Sequence, residues 1–547
     1  MENMRTAYFK EFQIYQDTSL NFYHALKECK KQGIHKLIVE TGIYKITPEG
    51  CAQKVLNISN HGFNGPKRIG VLIDGMENFE IDFSGSTLLC DGILQPIAIT
   101  DSKNITVKNL KIKFTAVQML QTTVVAHGDG WLDTQPLEDG AKVMLYGNKL
   151  LGECAEDTWG TQHLNIEFDG ETGEIAAGTG DNTLGVSVKD LTFEYTEEGL
   201  LRIYGVKRYA PIGNVLVFYC SRRLSSNIFC AGSENLTFDH IDLCSASYGM
   251  GILAQLCKNI TMDHLNTVRT DGRYYSVCAD ATHFVNCEGL ICLENSSFVG
   301  QFDDALNVHG MYTRIVEKGR DWLLVQEMHF QSTGIPIYRP GDRFAALHPR
   351  TLIPYSEFTL DKVEYINDTY AKLFVKDDLS MVKVGDDLEN LTTNPDVIFR
   401  NNTVRDNRAR GMLIATKGKV LIENNYFHTG GSAFFFESDG EYWFESSGTK
   451  DVIMRNNVFD QCKYGAWGDA VIHFVPRREE EEGKYFHGSI CIADNEFILG
   501  TNYVVMFDNI ETVVFQNNKF KTEAGNDPEI TIHHVGSAAI QEDVKRK

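Results

Sequence analysis

The sequence predicts an all-β chain, a right-handed parallel β-helix with an N-terminal capping helix and two inserted antiparallel barrel-like domains. Three observations carry that expectation. A short phrase recurs along the chain with a shortest spacing of 23 residues. Each copy is built from strand-forming residues, and helix signals are scarce. Two of the intervals are far too long for one coil and each leaves room for a small domain.

The one convincing helix lies near the N-terminus. Phe22, Ala25, Leu26 and Cys29 fall on one helical face behind Asp17-Thr-Ser, and Gly33 stops the pattern. A helix there would cover the open end of a solenoid, whose strand edges are otherwise unpaired. Residues 37–46 then read as a first strand and turn.

The repeated phrase is an apolar pair, a polar residue, Asn, two residues and Phe. It appears as Cys292–Phe298, Ile398–Val404, Leu421–Phe427, Ile453–Phe459, Cys491–Phe497 and Val514–Phe520, some copies with substitutions. Weaker copies surround Asn109, His240 and His264. Marking each at the Asn position gives 109, 240, 264, 295, 401, 424, 456, 494 and 517, with intervals of 131, 24, 31, 106, 23, 32, 38 and 23 residues. Short strands stacked at such a period make parallel sheets with rungs about 4.8 Å apart. Asn tolerates the left-handed corner and can hydrogen-bond its counterparts in neighbouring coils. The Leu-x-x-Leu-x-Leu phrase of a leucine-rich repeat is missing, and the right hand follows from the crossover rule.

Two long intervals place the inserts. Alternating strands such as 141–146 and 164–168, separated by Gly-Asn and Asp-Gly turns, fill the first. Runs such as 322–326 and 371–375 fill the second. The expected organisation is 1–115 cap and first coils, 116–215 inserted domain, 216–312 central coils, 313–393 second insert, and 394–547 C-terminal coils and tail. The inserts could be structural covers, could shape a cleft, or could offer surfaces for a homodimer.

Composition narrows the function classes. The 547 residues hold 52 Lys+Arg and 74 Asp+Glu, a formal charge of −22. That balance argues against nucleic acid and other polyanions, which need a basic footprint. No apolar run is long enough for a membrane span. Thirteen cysteines, several alternating with apolar residues in strands, read as buried thiols of a reducing compartment. Localisation stays open between cytoplasmic, and periplasmic or secreted if a signal was removed. No Cys-x-x-Cys pair suggests a metal, and two scattered His (His283, His309) are a weak metal signal. No metal and no cofactor are expected.

A β-helix has no inner cavity, so chemistry must sit on an outer face with side chains stacked across coils. Asp280 lies 23 residues before Asp303, so the two are expected on adjacent rungs in nearly one column with Asp304 beside them. Carboxylates so close repel, which raises at least one pKa and equips the site for general acid and base work on a glycosidic bond. An Asp-Asp pair can equally be a solvated turn. Carrying the register forward puts Ala409 beneath Asp303 and Arg410 beside it, able to hold Asp304 ionised or donate to sugar hydroxyls. Glu437, Trp443, Trp467 and Asp469 fall in longer loops where they could bind sugar, as could His283 and His309, although packing explains each as well.

One Asp on the coil before an Asp-Asp pair resembles the polygalacturonase-type β-helix glycosidases. Their Asn-Thr-Asp, Gly-His-Gly and Arg-Ile-Lys signatures are replaced here by Ala279-Asp-Ala and Val308-His-Gly, with no Arg-Ile-Lys. Phrases 279–284 and 302–310, the Thr41-Gly-Ile-Tyr segment and the β-rich inserts look more like glycoside hydrolase family 110, over nearly the whole chain. That resemblance implies an exo-acting, inverting α-1,3-galactosidase on blood-group-B-type or linear α-galactosides. It casts Asp303 as general acid, with Asp280 and Asp304 holding the attacking water. Rungs about 4.8 Å apart sit nearer the carboxyl separation usual for retention. A pectinase-like hydrolase, a lyase or epimerase on uronic polysaccharide, and a non-enzymatic glycan-binding β-helix stay open as alternatives.

Overall fold

The computed structural model describes residues 5–62, 64–116, 118–137, 141–155, 158–219, 223–244, 248–270, 272–475, 479–522 and 527–547. They form a right-handed parallel β-helix. One ladder, the floor of the site described below, runs in parallel through Gln95–Thr100, Ile228–Ala231, Ile252–Gln255, Thr282–Val285, the first half of Leu306–Lys318, Met412–Ile414, Phe434–Glu437 and Ile472–Val475. Two further ladders meet at the repeated corner, as in Glu288–Glu294 followed by Ser297–Val299.

All nine corner positions marked from the sequence adopt left-handed backbone, with φ between 53° and 58°. The hydrogen-bonded column along the interior belongs to the next residue. Asn425 Nδ2 donates to Asn457 Oδ1 at 2.9 Å, Asn457 to Asn495 at 2.9 Å and Asn495 to Asn518 at 3.0 Å. These amides are buried, so each must find a partner inside, and its counterpart one coil away supplies it. The phenylalanines that close the phrases stack likewise, Phe427 on Phe459 and Phe459 on Phe497 with centroids 5.3 and 4.7 Å apart, and Phe399 from within the phrase that ends in Val404 adds to the column at 6.3 Å from Phe427.

The helix Thr18–Gln32 begins where Asp17 accepts from the Leu20 N–H at 2.8 Å and ends at Gly33, φ 62°. Its expected apolar face is buried, and Phe22 stacks on Phe9 at 4.1 Å over the first coil. The first strand differs from the expectation. Thr6–Tyr8 precedes the helix and pairs with Lys36–Ile38, while Ile43–Ile46 joins the next coil. Cys29, Cys90, Cys230, Cys257, Cys287 and Cys462 are buried thiols outside any disulfide, and Cys491 is half-buried. Among the described residues, no helix is long and apolar enough to cross a membrane.

The two inserts differ in closure. The first is a six-stranded antiparallel sheet spanning Leu120–Tyr219, with a separate three-stranded sheet over Val143–Thr161. The second is a closed ring. Strand Leu306–Lys318 pairs with Trp322–Glu327, which leads through Tyr370–Val375, Pro354–Tyr365, Arg343–Leu347 and Asp387–Asn390 back to the starting strand. A single strand therefore passes from the solenoid rung into the barrel without a linker.

Candidate active site

Asp280 and Asp303 line a cleft of about 460 Å³, and Asp304 lies beneath it, fully buried but with a carboxylate oxygen within 4.8 Å of theirs. The floor ladder pairs Thr282 with Leu306 and Leu306 with Met412. Two residues upstream, this register sets Asp280 over Asp304 and Asp304 over Arg410. The Ala281 N–H donates to the Asp304 carbonyl at 2.8 Å, and the Asp304 N–H donates to Asp280 Oδ1 at 3.3 Å. The expected column thus holds Asp304 rather than Asp303. The coil between them has 24 residues, as does the coil from Ile228 to Ile252, so the 23-residue count falls one short. Asp303 is the neighbour that turns into the cleft, with 17% of its side chain exposed. Phe302 before it is buried among Phe168, Tyr219 and Tyr275, two of which come from the first insert.

Arg410 grips Asp304 with two hydrogen bonds of 2.9 Å, Nε to Oδ1 and Nη2 to Oδ2. This is the planar, two-pronged geometry that arginine supplies and lysine does not. Three guanidiniums surround Asp303: Arg223 at 3.6 Å, Arg408 at 3.7 Å and Arg410 at 3.7 Å. Arg408 is itself held by Asp181 of the first insert at 2.7 and 2.5 Å. The three aspartates stand within 4.8 Å of one another, close enough to grip a cation. The arginines already supply positive charge there, so a metal would meet like charge.

Behind the floor runs a chain of buried imidazoles. Asp280 Oδ2 lies 2.6 Å from His283 Nδ1, and His283 Nε2 lies 3.0 Å from His309 Nε2. His309 Nδ1 faces the Gly310 carbonyl at 2.7 Å. A carbonyl only accepts, so His309 Nδ1 carries a hydrogen and its Nε2 is an acceptor when the ring is neutral. His283 must then donate through Nε2, which leaves its Nδ1 bare and requires Asp280 to donate. Burial above all pushes the His283 pKa well down and keeps that imidazole neutral. Burial first, and Asp303 second, push the Asp280 carboxyl up to about 7, against Arg223 and Arg410. With both imidazoles neutral, this hydrogen-bond polarity places a proton on Asp280, and burial pushes the carboxyls of both Asp280 and Asp304 upward.

Of the other residues expected at the site, Arg410, His283, Glu437, Trp443 and Trp467 line the cleft. His309 does not. It is buried behind His283, with Glu445 at 3.5 Å from its Nε2. Asp469 is exposed outside the lining. Sequence reasoning missed Asn60, Arg223, Arg408, Asp439, Tyr442 and Glu445, all in the lining. Arg408 was one position from the projected Ala409. Asn60 and Arg223 lie on irregular segments that no repeat register reaches.

Family profiles match three segments. GLAA-B beta-barrel domain I covers residues 120–216, GLAA-B beta-barrel domain II covers 322–388, and the right handed beta helix region covers 390–533. The chain is 32% identical to "Alpha-1,3-galactosidase B" of Phocaeicola vulgatus, over 88% of this chain and 84% of that one. It is 30% identical to "Alpha-1,3-galactosidase A" of Bacteroides fragilis, over 92% and 84%. Among solved structures, an exopolygalacturonase from Thermotoga maritima superposes with a TM-score of 0.45 and 13% identity, covering 99% of this chain and 91% of that one.

Proposed function

Because the chain belongs to the alpha-1,3-galactosidase family, we propose that it is an exo-acting glycoside hydrolase. It removes terminal α-1,3-linked galactose from oligosaccharides or glycoconjugates, with inversion at the anomeric carbon. The observation that carries this reading is the convergence of Asp280, Asp303 and Asp304 under a cleft whose other charges pair with them.

The proton inventory suggests a closed cycle. The proton resting on Asp280 passes to Asp303, the least buried of the three, which delivers it to the departing glycosidic oxygen. Arg223, Arg408 and Arg410 stabilise the carboxylate left on Asp303. Asp280 and Asp304 hold a water on the far side of the sugar. Its oxygen bonds the anomeric carbon as the old C–O bond breaks, and its proton returns to Asp280. The end distribution is the starting one, so no further proton shuttle is needed. The aspartates are closer than the roughly 6.5–9.5 Å usual for inverting pairs, so the water must be shared in a tight site.

Free arginines would suit a uronate carboxylate, but Arg223, Arg408 and Arg410 are each engaged with an aspartate, which favours a neutral sugar. Incubation with an α-1,3-galactosyl disaccharide and, separately, with polygalacturonate tests the reading. Free galactose from the first alone is expected. Cleavage of the uronic polymer alone, or binding without turnover of either, would overturn it.

A further inference from the structure

We propose that Phe330, His329, Tyr442 and Trp443 form a leaving-group subsite that stacks the pyranose ring next to the departing galactose. This rests on the hydrolase reading above and extends it to the substrate's second sugar. The buried His329 ring joins Phe330 on one side to Tyr442 and Trp443 on the other. The centroid of His329 is 4.7 Å from Phe330, 5.4 Å from Tyr442 and 4.8 Å from Trp443, and Tyr442 meets Trp443 at 5.1 Å. Their exposure is costly. Phe330 is 64% exposed, Tyr442 61% and Trp443 39%, and a contiguous exposed aromatic patch marks a binding surface more often than chance.

The occupant follows from where the patch lies. Trp443 and Tyr442 line the cleft, and the surface continues outward to Phe330 on the second inserted barrel. A ligand whose terminal sugar occupies the charged floor must leave by the cleft mouth, so the next ring meets the aromatics. The floor is dominated by carboxylates and guanidiniums, whereas the platform offers flat apolar faces, the complement of a pyranose's C–H face.

The platform is fixed to the catalytic strand. Asp439 accepts from the N–H groups of Glu441, Tyr442 and Trp443 at 2.7, 3.0 and 2.8 Å, which tightens the loop into one turn. That loop closes on Glu445–Ser446, which pairs with Gly310–Met311 of the strand following Asp303 and Asp304. On the barrel side, the Asn60 N–H donates to the Gln331 carbonyl at 3.1 Å, while the Asn60 amide donates to Glu445 at 3.1 Å. The subsite therefore needs no ordering when substrate arrives.

The test compares kcat/KM for an α-1,3-galactosyl disaccharide with that for methyl α-galactoside, in the parent and in Phe330→Ala and Tyr442→Ala. Both rings are mostly exposed, so truncation leaves the core intact. Losing one stacking face should lower the disaccharide-to-methyl-glycoside ratio about tenfold. An unchanged ratio in both variants, with galactose still released, would overturn the subsite while the hydrolase reading stands. A parent enzyme that releases galactose from neither substrate would overturn both.

Discussion

The floor and the walls of the cleft are held in different ways. On the floor, Asp280, Asp304 and Arg410 sit in one column of a parallel ladder, and backbone hydrogen bonds of the ladder fix their spacing. On the walls, Arg408 is held by one ion pair to the first insert, and Tyr442 and Trp443 by a loop whose N–H groups donate to Asp439. A rung cannot shift without breaking the ladder, whereas a loop can change shape or length while the solenoid stays intact. The difference assigns chemistry to the periodic part of the molecule and substrate choice to the inserted parts.

The largest effect should come from the floor. Asp303→Asn should lower turnover on the order of a thousandfold, since general acid catalysis contributes about 10²–10⁴. The melting temperature should stay near that of the parent, because this side chain is only partly buried. A comparable activity loss from Trp443→Ala would erase the distinction between floor and wall.

Arg410→Ala comes next and should register in stability as well as rate. Asp304 is fully buried, so removing its two-pronged partner leaves an uncompensated carboxylate, worth about 3–5 kcal/mol in denaturant titration. Arg410→Lys restores the charge but not the fork, and should recover only part of either loss.

The proton chain gives a pH signature of intermediate size. Asp280 faces Asp303, Asp304, Arg223, Arg410, Glu445 and His283, and its carboxyl is pushed up to about 7. The catalytic cluster should therefore lose its proton above about pH 7, with activity falling along that limb. The sign for stability is the same. A carboxyl with a raised folded pKa stabilises most when protonated, so its contribution is full below about pH 4 and fades as pH rises through about 7. Asp280→Asn should flatten that dependence. A flat profile in the parent would remove the proton from Asp280.

The smallest effect belongs to the wall. Asp181→Asn removes a partly exposed ion pair, worth at most about 1 kcal/mol, so KM should rise a few-fold with kcat nearly unchanged.

These regions also differ in how far they could be read before the structure. The solenoid was legible because one physical requirement repeats: nine corners need left-handed backbone, and Asn, Asp or His occupies each. Arg410 followed from the same register, since the 106-residue interval carries the corner and the floor equally. Asp280 was displaced by one because the coil length varies between 23 and 24 residues, which a single period count does not resolve. The proton chain through His309 was missed in kind. His309 was expected against sugar, but its strand position sends it behind His283. Asn60, Arg223 and Phe330 lie where chain paths depend on docking between elements, and no local pattern encodes that.

The measurement that bears most directly on the central claim is the anomer of the first galactose released from an α-1,3-galactosyl disaccharide, followed by proton NMR before mutarotation. Three aspartates sharing one proton around an in-line water require β-galactose to appear first, and Asp303→Asn to abolish its appearance. Initial release of α-galactose would contradict the account and make one of the aspartates a nucleophile.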